Sequence, residues 1–368
     1  MSDSSASTDT RDPRDDSSNA PLPAFLKQSK AGDPEISNNF VDLEWQQRNR
    51  LAAGLQQSDP PSQWARTLGN GDPLSRNRYL NIEVFANNRI KLKVEDGVND
   101  YINASPIVLG SRRYISTQGP KESSMAHFYR MLANETSTTA VVVMLTQTHE
   151  AGREKCFPYY PDDKEAPALE FKPNSEDPEN DGFEGSVSLI SSEEDSRARC
   201  TIRHLKLRSR VRTRDGRGDE AWSEKDVWHL LFAAWPDFYV PEGEDRKALI
   251  ELVHLSRKLN ATAPAPIYTS FTPMRNGTRT TNEELNPRVV HCSAGVGRSG
   301  TFIALDHLLT LLDNGELDDV PPNTDPVADT VDRLRQQRMM MVQGESQFTF
   351  LYDSLREAWM DRWREKQR

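Results

Sequence analysis

The segment Val289-Val-His-Cys-Ser-Ala-Gly-Val-Gly-Arg-Ser-Gly-Thr301 constrains what this chain can fold into more than any other part of it. Its first residues are apolar and β-branched, and read as a buried strand ending at His291. From Ser299 the apolar positions Phe302, Ile303, Leu305, Leu308, Leu309 and Leu312 recur with helical spacing, and Asn314-Gly315 supplies a stop. Strand and helix are therefore joined through Cys292, the run Ser293, Ala294, Gly295, Val296 and Gly297, and Arg298. The two glycines let successive N–H groups turn inward, and the helix start adds N–H groups that lack intrahelical acceptors. The result is a cradle for an anion. The same field favours a thiolate, so Cys292 is expected to ionise below the ~8.5 of a free cysteine. Arg298 offers a planar fork matched to two phosphate oxygens.

Other chemistries are disfavoured by composition. The three cysteines, Cys156, Cys200 and Cys292, are too few and too scattered for a disulfide framework or a thiolate cage. The histidines show no zinc spacing, so neither a metal nor another cofactor is expected. A net charge of -10 argues against nucleic acid, which needs a basic surface. The longest apolar run, Ala140 to Leu145, is too short to span a bilayer, and the Met-Ser-Asp start has no signal-peptide character. A soluble monomer in the cytosol or nucleus is expected.

Strands and helices alternate along the chain in a way that implies one α/β domain, a highly twisted mixed β-sheet flanked by helices, with the phosphate-binding loop between a strand and a helix. Residues 1–35 are polar and expected to be a disordered tail; the domain is placed at 36–368, with an acidic solvated insertion at about 162–182 and a polar one at about 260–287. Helices are expected at Asn38–Leu55, His127–Asn134, Ala248–Leu259, Val327–Arg338 and Gln347–Trp363. Tyr79–Ser105 reads as short strands joined by turns, Ser191–Ser196 as a loop, and Asp215–Asp219 as a turn.

If the bound anion is the phosphate of a phenol, the leaving oxygen has a conjugate acid of pKa ~10 and gains from protonation. Trp235-Pro-Asp237 offers a carboxylic acid on a stiffened loop that could close over the cradle. The string from His291 to Thr301 resembles the signature loop of the protein-tyrosine phosphatase family, in its cysteine-dependent, non-receptor branch. That resemblance makes Asp237 the acid, with Trp235, Phe238 and Val240-Pro241 extending the match. It makes Tyr79, in Asn77-Arg-Tyr79, the residue that stacks on the substrate ring and sets pocket depth. Glu150 and Lys155 then pair with Arg298 and the acid loop, and Gln343 and Gln347 place the hydrolytic water. Ser299 eases thiolate release, and His291 supports the low thiol pKa. Asp100–Ser105 and Thr117–Pro120 resemble motifs that hold the fold. Asn81 stands where many relatives carry Asp, Leu80 where a basic residue is common, and Met340 where several have Gly.

The expected activity is metal-independent hydrolysis of phosphotyrosine in proteins, kinases among them, through a phosphocysteine, acting in signal transduction. Its low-pKa thiol is expected to be redox-sensitive. A dual-specificity phosphatase and a non-catalytic phosphotyrosine-binding module remain as alternatives.

Overall fold

The computed structural model describes residues 22–27, 33–66, 73–172, 182–212, 220–235, 239–267, 270–271 and 284–368. Its strands are β1 (Ala104–Leu109), β2 (Arg112–Thr117), β3 (Thr139–Met144), β4 (His149–Glu150), β5 (Arg153–Glu154), β6 (Leu169–Phe171), β7 (Phe183–Asp195), β8 (Cys200–Val211), β9 (Ser223–Leu231) and β10 (Arg288–His291). All but the β4–β5 hairpin join one sheet in the order β1-β2-β10-β3-β9-β8-β7-β6. The central strands β2, β10, β3 and β9 run parallel, with antiparallel pairs on both sides.

Helices α1 (Ala24–Lys27), α2 (Pro34–Leu55), α3 (Pro73–Arg76), α4 (Met125–Glu135), α5 (Glu244–Asn260), α6 (Gly297–Asp313), α7 (Pro326–Gln337) and α8 (Glu345–Lys366) cover the sheet. Alternation along β3 divides the core. Val141 and Val143 pack with Leu252 of α5, Leu305 of α6 and Leu351 of α8, whereas Val142 and Met144 pack with Phe128 and Leu132 of α4. Both faces of β3 are thus buried, which is why it reads as a nearly continuous apolar run; β10 is buried too, with Val289 and Val290 between Arg288 and His291. α6 stops where expected, with Gly315 at φ 76 beyond its last turn. The cradle segment lies at the C-terminal end of β10, between the ends of β2 and β3, where an open parallel sheet offers its ligand crevice.

Several local expectations need correction. The packed chain starts before residue 36: Phe25 and Leu26 are buried in the core and α2 begins at Pro34, capped by Asp33. Residues 1–21 lie outside the described residues, as does the Asp215–Asp219 turn. The Tyr79–Ser105 stretch has isolated bridges from Phe85 to Arg66 and from Lys91 to Tyr101, and the start of β1, but no other strand. Its backbone is held by a few bridge bonds, such as Ile90 N–H to the Ala104 carbonyl and Leu92 N–H to that of Asp100, and by side chains: Arg76 donates to the carbonyls of Asn99 and Tyr101, and Asn103 to that of Ile82. Ser191–Asp195 is strand rather than loop, because β7 continues past a register shift between Leu189 and Ser191 and pairs with Cys200–His204. Its polarity reflects exposure. In the acidic insertion, Leu169–Phe171 forms the edge strand β6 with Phe171 buried, while residues 173–181 lie outside the described residues.

Candidate active site

Gly295 adopts φ 70, and a Cβ there would come within 2.1 Å of the Thr117 carbonyl oxygen, so glycine is the side chain this turn admits. The turn brings the Gly295 N–H to 3.3 Å from Cys292 Sγ. Cys292 is only 5% exposed. Burial by itself would push the thiol up, but the Ser299 hydroxyl, the Arg298 charge and the N–H groups of Ser299 and Gly295 outweigh it, and the thiol is held below its usual value. Ser299 Oγ is buried with no well-aligned hydrogen-bond partner among the described residues, and its hydroxyl lowers the Cys292 thiol.

Arg298, at the first turn of α6, donates from Nη1 and Nη2 to the two carboxylate oxygens of Glu150 at 2.5 and 2.7 Å, and from Nη1 to the Leu145 carbonyl at 3.0 Å. Burial raises the Glu150 carboxyl, but Arg298, the Thr146 hydroxyl and the Gln147 N–H more than offset it, so Glu150 stays ionised. The bidentate pair fixes the guanidinium plane before substrate arrives. Lys155 Nζ lies 3.9 Å from Glu150 Oε2, so the β4–β5 hairpin contributes both expected residues to the Arg298 side of the site.

The cradle carbonyls are drawn away from the pocket by groups that the sequence did not reveal. Arg338, wholly buried, donates to the Gly295 carbonyl at 2.8 Å and the Ala294 carbonyl at 3.2 Å, and Ser116 Oγ adds a bond to Gly295 at 3.0 Å. Burial lowers the Arg338 guanidinium only to about 10, so it remains a cation beneath the loop. With its carbonyls engaged below, the loop presents N–H groups above. Behind Cys292, His291 Nδ1 donates to the Cys292 carbonyl at 3.1 Å, its Nε2 accepts from Tyr159 Oη at 2.7 Å, and Tyr159 Oη accepts from His229 Nε2 at 3.0 Å. Burial pushes His291 down to about 4, so the ring is neutral and holds the Cys292 backbone rather than supplying charge to the sulfur. Tyr159, His229 and Arg338 carry no sequence signal of their own, since their partners are carbonyls and rings from distant elements.

Tyr79 donates to Ser293 Oγ at 2.8 Å, and Ser293 donates to the Lys155 carbonyl at 2.8 Å. The expected fold-holding motif does position this tyrosine: Gln118 accepts from the Arg78 N–H and donates to the Arg76 carbonyl, while Arg78 donates to the carbonyls of Gly119 and Pro120. A cavity of ≈ 440 Å³ above the thiol is lined by Tyr79, Asn81, Ala294, Gly297, Gln343 and Gln347 among others. The Gln343 N–H donates to Gln347 Oε1 at 3.0 Å, so the two glutamines are joined at the mouth. Val296 is buried below. Pro236, Asp237 and Phe238 lie outside the described residues. Trp235 is buried, and its Nε1 donates to the Tyr239 carbonyl at 3.1 Å, which ties together the residues on either side of that segment. The described part of the site can hold a tetrahedral dianion against a thiolate and a fixed guanidinium.

Residues 73–357 match the family model described as protein-tyrosine phosphatase. The chain is 31% identical over 326 residues to tyrosine-protein phosphatase 2 of Schizosaccharomyces pombe, covering 87% of this chain and 39% of that protein. It is 32% identical over 287 residues to tyrosine-protein phosphatase non-receptor type 2 of Rattus norvegicus, covering 77% and 56%. Over 316 residues it is 32% identical to phosphatidylinositol phosphatase PTPRQ of Homo sapiens, covering 85% and 11%. The chain thus spans only 11% to 56% of the length of these relatives. In fold it resembles the catalytic domain of human protein tyrosine phosphatase non-receptor type 18, with a TM-score of 0.63 at 23% identity, covering 91% of this chain and 99% of that one. Among the described residues no helix is long and apolar enough to cross a membrane.

Proposed function

The chain belongs to the protein-tyrosine phosphatase family, and on that premise we propose that it hydrolyses phosphotyrosine in proteins through a phosphocysteine on Cys292. The observation that carries this reading is a thiol held below its usual pKa on the floor of an N–H cradle, beside a guanidinium already fixed by Glu150. The Cys292 thiolate attacks phosphorus in line; as the S–P bond forms, the P–O bond to the phenol breaks. Arg298 and the loop N–H groups stabilise the equatorial oxygens, and Asp237 gives its proton to the leaving phenol oxygen. A water placed by Gln343 and Gln347 then attacks phosphorus, its proton passes to Asp237, and the S–P bond breaks to return the thiolate, which Ser299 stabilises, with inorganic phosphate as product.

Tyr79 and the depth of the cavity favour a flat phenyl group over a short serine or threonine stem. The substrates are accordingly phosphotyrosine-bearing proteins, the role is in signalling, and the catalytic unit takes in the buried Phe25 and Leu26 ahead of α2. Arg298 and the N–H groups supply the positive field that a metal provides in other phosphatases, so chelation should leave activity intact.

The test is steady-state turnover in EDTA of phosphotyrosine, phosphoserine and phosphothreonine peptides and a phosphoinositide. Phosphotyrosine alone should turn over, and Cys292→Ser should abolish it. Turnover of the serine and threonine peptides would favour dual specificity; turnover of the lipid would favour the activity named for the human relative. A chain that binds and never hydrolyses is a recognition module. Asp237→Ala should slow turnover far more than it weakens binding, and a loss of binding instead would remove Asp237 from the acid role.

A further inference from the structure

The loop between α7 and α8, which carries Gln343, is strained. Met340 and Val342 adopt φ 59 and φ 56, a region that bulky and β-branched residues avoid. Such backbone persists only where its surroundings over-determine it. On one side the loop meets the cradle: the Val342 N–H donates to the Val296 carbonyl at 3.1 Å, and a Cβ at Gly300 would come within 2.5 Å of Val342 N.

The other side is held from α2. Gln47, 3% exposed, accepts from the Met340 N–H at 3.1 Å. The buried Arg335 donates to the carbonyls of Met341 at 3.0 Å and Val342 at 2.9 Å. Glu44 approaches that guanidinium at 2.9 Å, as an ion pair rather than an aligned hydrogen bond, and the Phe40 ring centroid lies 5.4 Å from its central carbon. Further contacts fasten α2 to the helices on either side of the loop: Asn39 to Asp325, Arg50 to Asp332 and Ser37 to Glu345.

We propose that α2, which lies N-terminal to the family match, is a brace that positions the Gln343 loop through Gln47 and the Glu44–Arg335 pair and so sets the rate of phosphocysteine hydrolysis. Glu44 and Gln47 are positioning residues, and the inference rests on the phosphatase reading above. The first chemical step depends on Cys292, Arg298 and the cradle, which Glu150, Arg338, Ser116 and His291 support from outside α2; the Val342 N–H bond to the Val296 carbonyl is a further support, and Arg335 of α7 holds the Val342 carbonyl independently of α2. Loosening α2 should therefore spare formation of the phosphoenzyme and slow its breakdown.

Full-length Gln47→Ala and Glu44→Gln are compared with the parent by steady-state kinetics and by acid quench during turnover of a phosphotyrosine peptide. Slower breakdown lowers kcat and KM together, leaves kcat/KM unchanged and raises the fraction trapped as phosphocysteine; kcat should fall roughly three- to tenfold. Glu44→Gln removes only the charge of a side chain that is 38% exposed, and its result decides the matter should Gln47→Ala fail to fold. An unchanged kcat, or a fall in kcat/KM with no added phosphocysteine, overturns the brace while leaving the hydrolase reading in place. A parent chain that turns over no phosphotyrosine overturns both.

Discussion

At Cys292, burial favours the neutral thiol while Ser299, Arg298 and two N–H groups favour the thiolate, and the second set prevails. Alkylation by iodoacetamide should therefore be fast where an ordinary thiol is protonated, with the midpoint of its pH profile below ~8.5. Ser299→Ala should move that midpoint up; a parent midpoint at or above the ordinary value would remove the argument for an activated nucleophile. Arg298→Lys keeps a charge but loses the bidentate fork held by Glu150, so kcat/KM should fall by roughly 10²- to 10³-fold, and an unaffected value would mean that planarity is not used. Cys292, Arg298, Glu150 and Tyr79 were legible because their side chains lie in recognisable strings. Arg338, Tyr159 and His229 were not, since what makes them matter is a carbonyl or ring brought from another strand.

At the scale of elements, the cradle turn is where sequence spoke most clearly, because its geometry follows from glycine. Gly295→Ala must place a Cβ at φ 70 against the Thr117 carbonyl, which should cost roughly 1–3 kcal/mol of stability and most of the activity. Thermal denaturation and turnover of the variant check this together; a variant as stable and as active as the parent would mean that the turn relaxes freely. Periodicity located α5 and α7 because each has one apolar face, α6 because apolar residues recur along a helix that is buried nearly all round, and β3 because both of its faces are covered. It failed over Tyr79–Ser105, where isolated bridges and the bonds of asparagine and arginine side chains stand in place of extended strands, and over Ser191–Asp195, where an exposed strand has the composition of a loop.

For the molecule as a whole, the sheet order was not legible. β10 inserts between β2 and β3 from more than 140 residues downstream of β3, a pairing set by tertiary packing and not by any local pattern. The packing also buries histidines in neutral form. An unfolded histidine gains its proton near 6.5, whereas burial holds His291 and His307 neutral until about 4 and also lowers His229 well below its ordinary value. Between about 4 and 6.5 the unfolded chain binds more protons, so stability is lost as pH falls, by up to about 1.4 kcal/mol per pH unit for each histidine. Melting temperatures taken from pH 7 to pH 5 should decline, and His307→Gln should flatten the decline; a rise on acidification would contradict the account. The central claim is tested most directly by acid-quenching the parent during turnover of a phosphotyrosine peptide and mapping the phosphate by mass spectrometry. Phosphate should lie on the peptide containing Cys292 and be absent from Cys292→Ser; phosphate trapped on another residue, or turnover retained by Cys292→Ser, would contradict it.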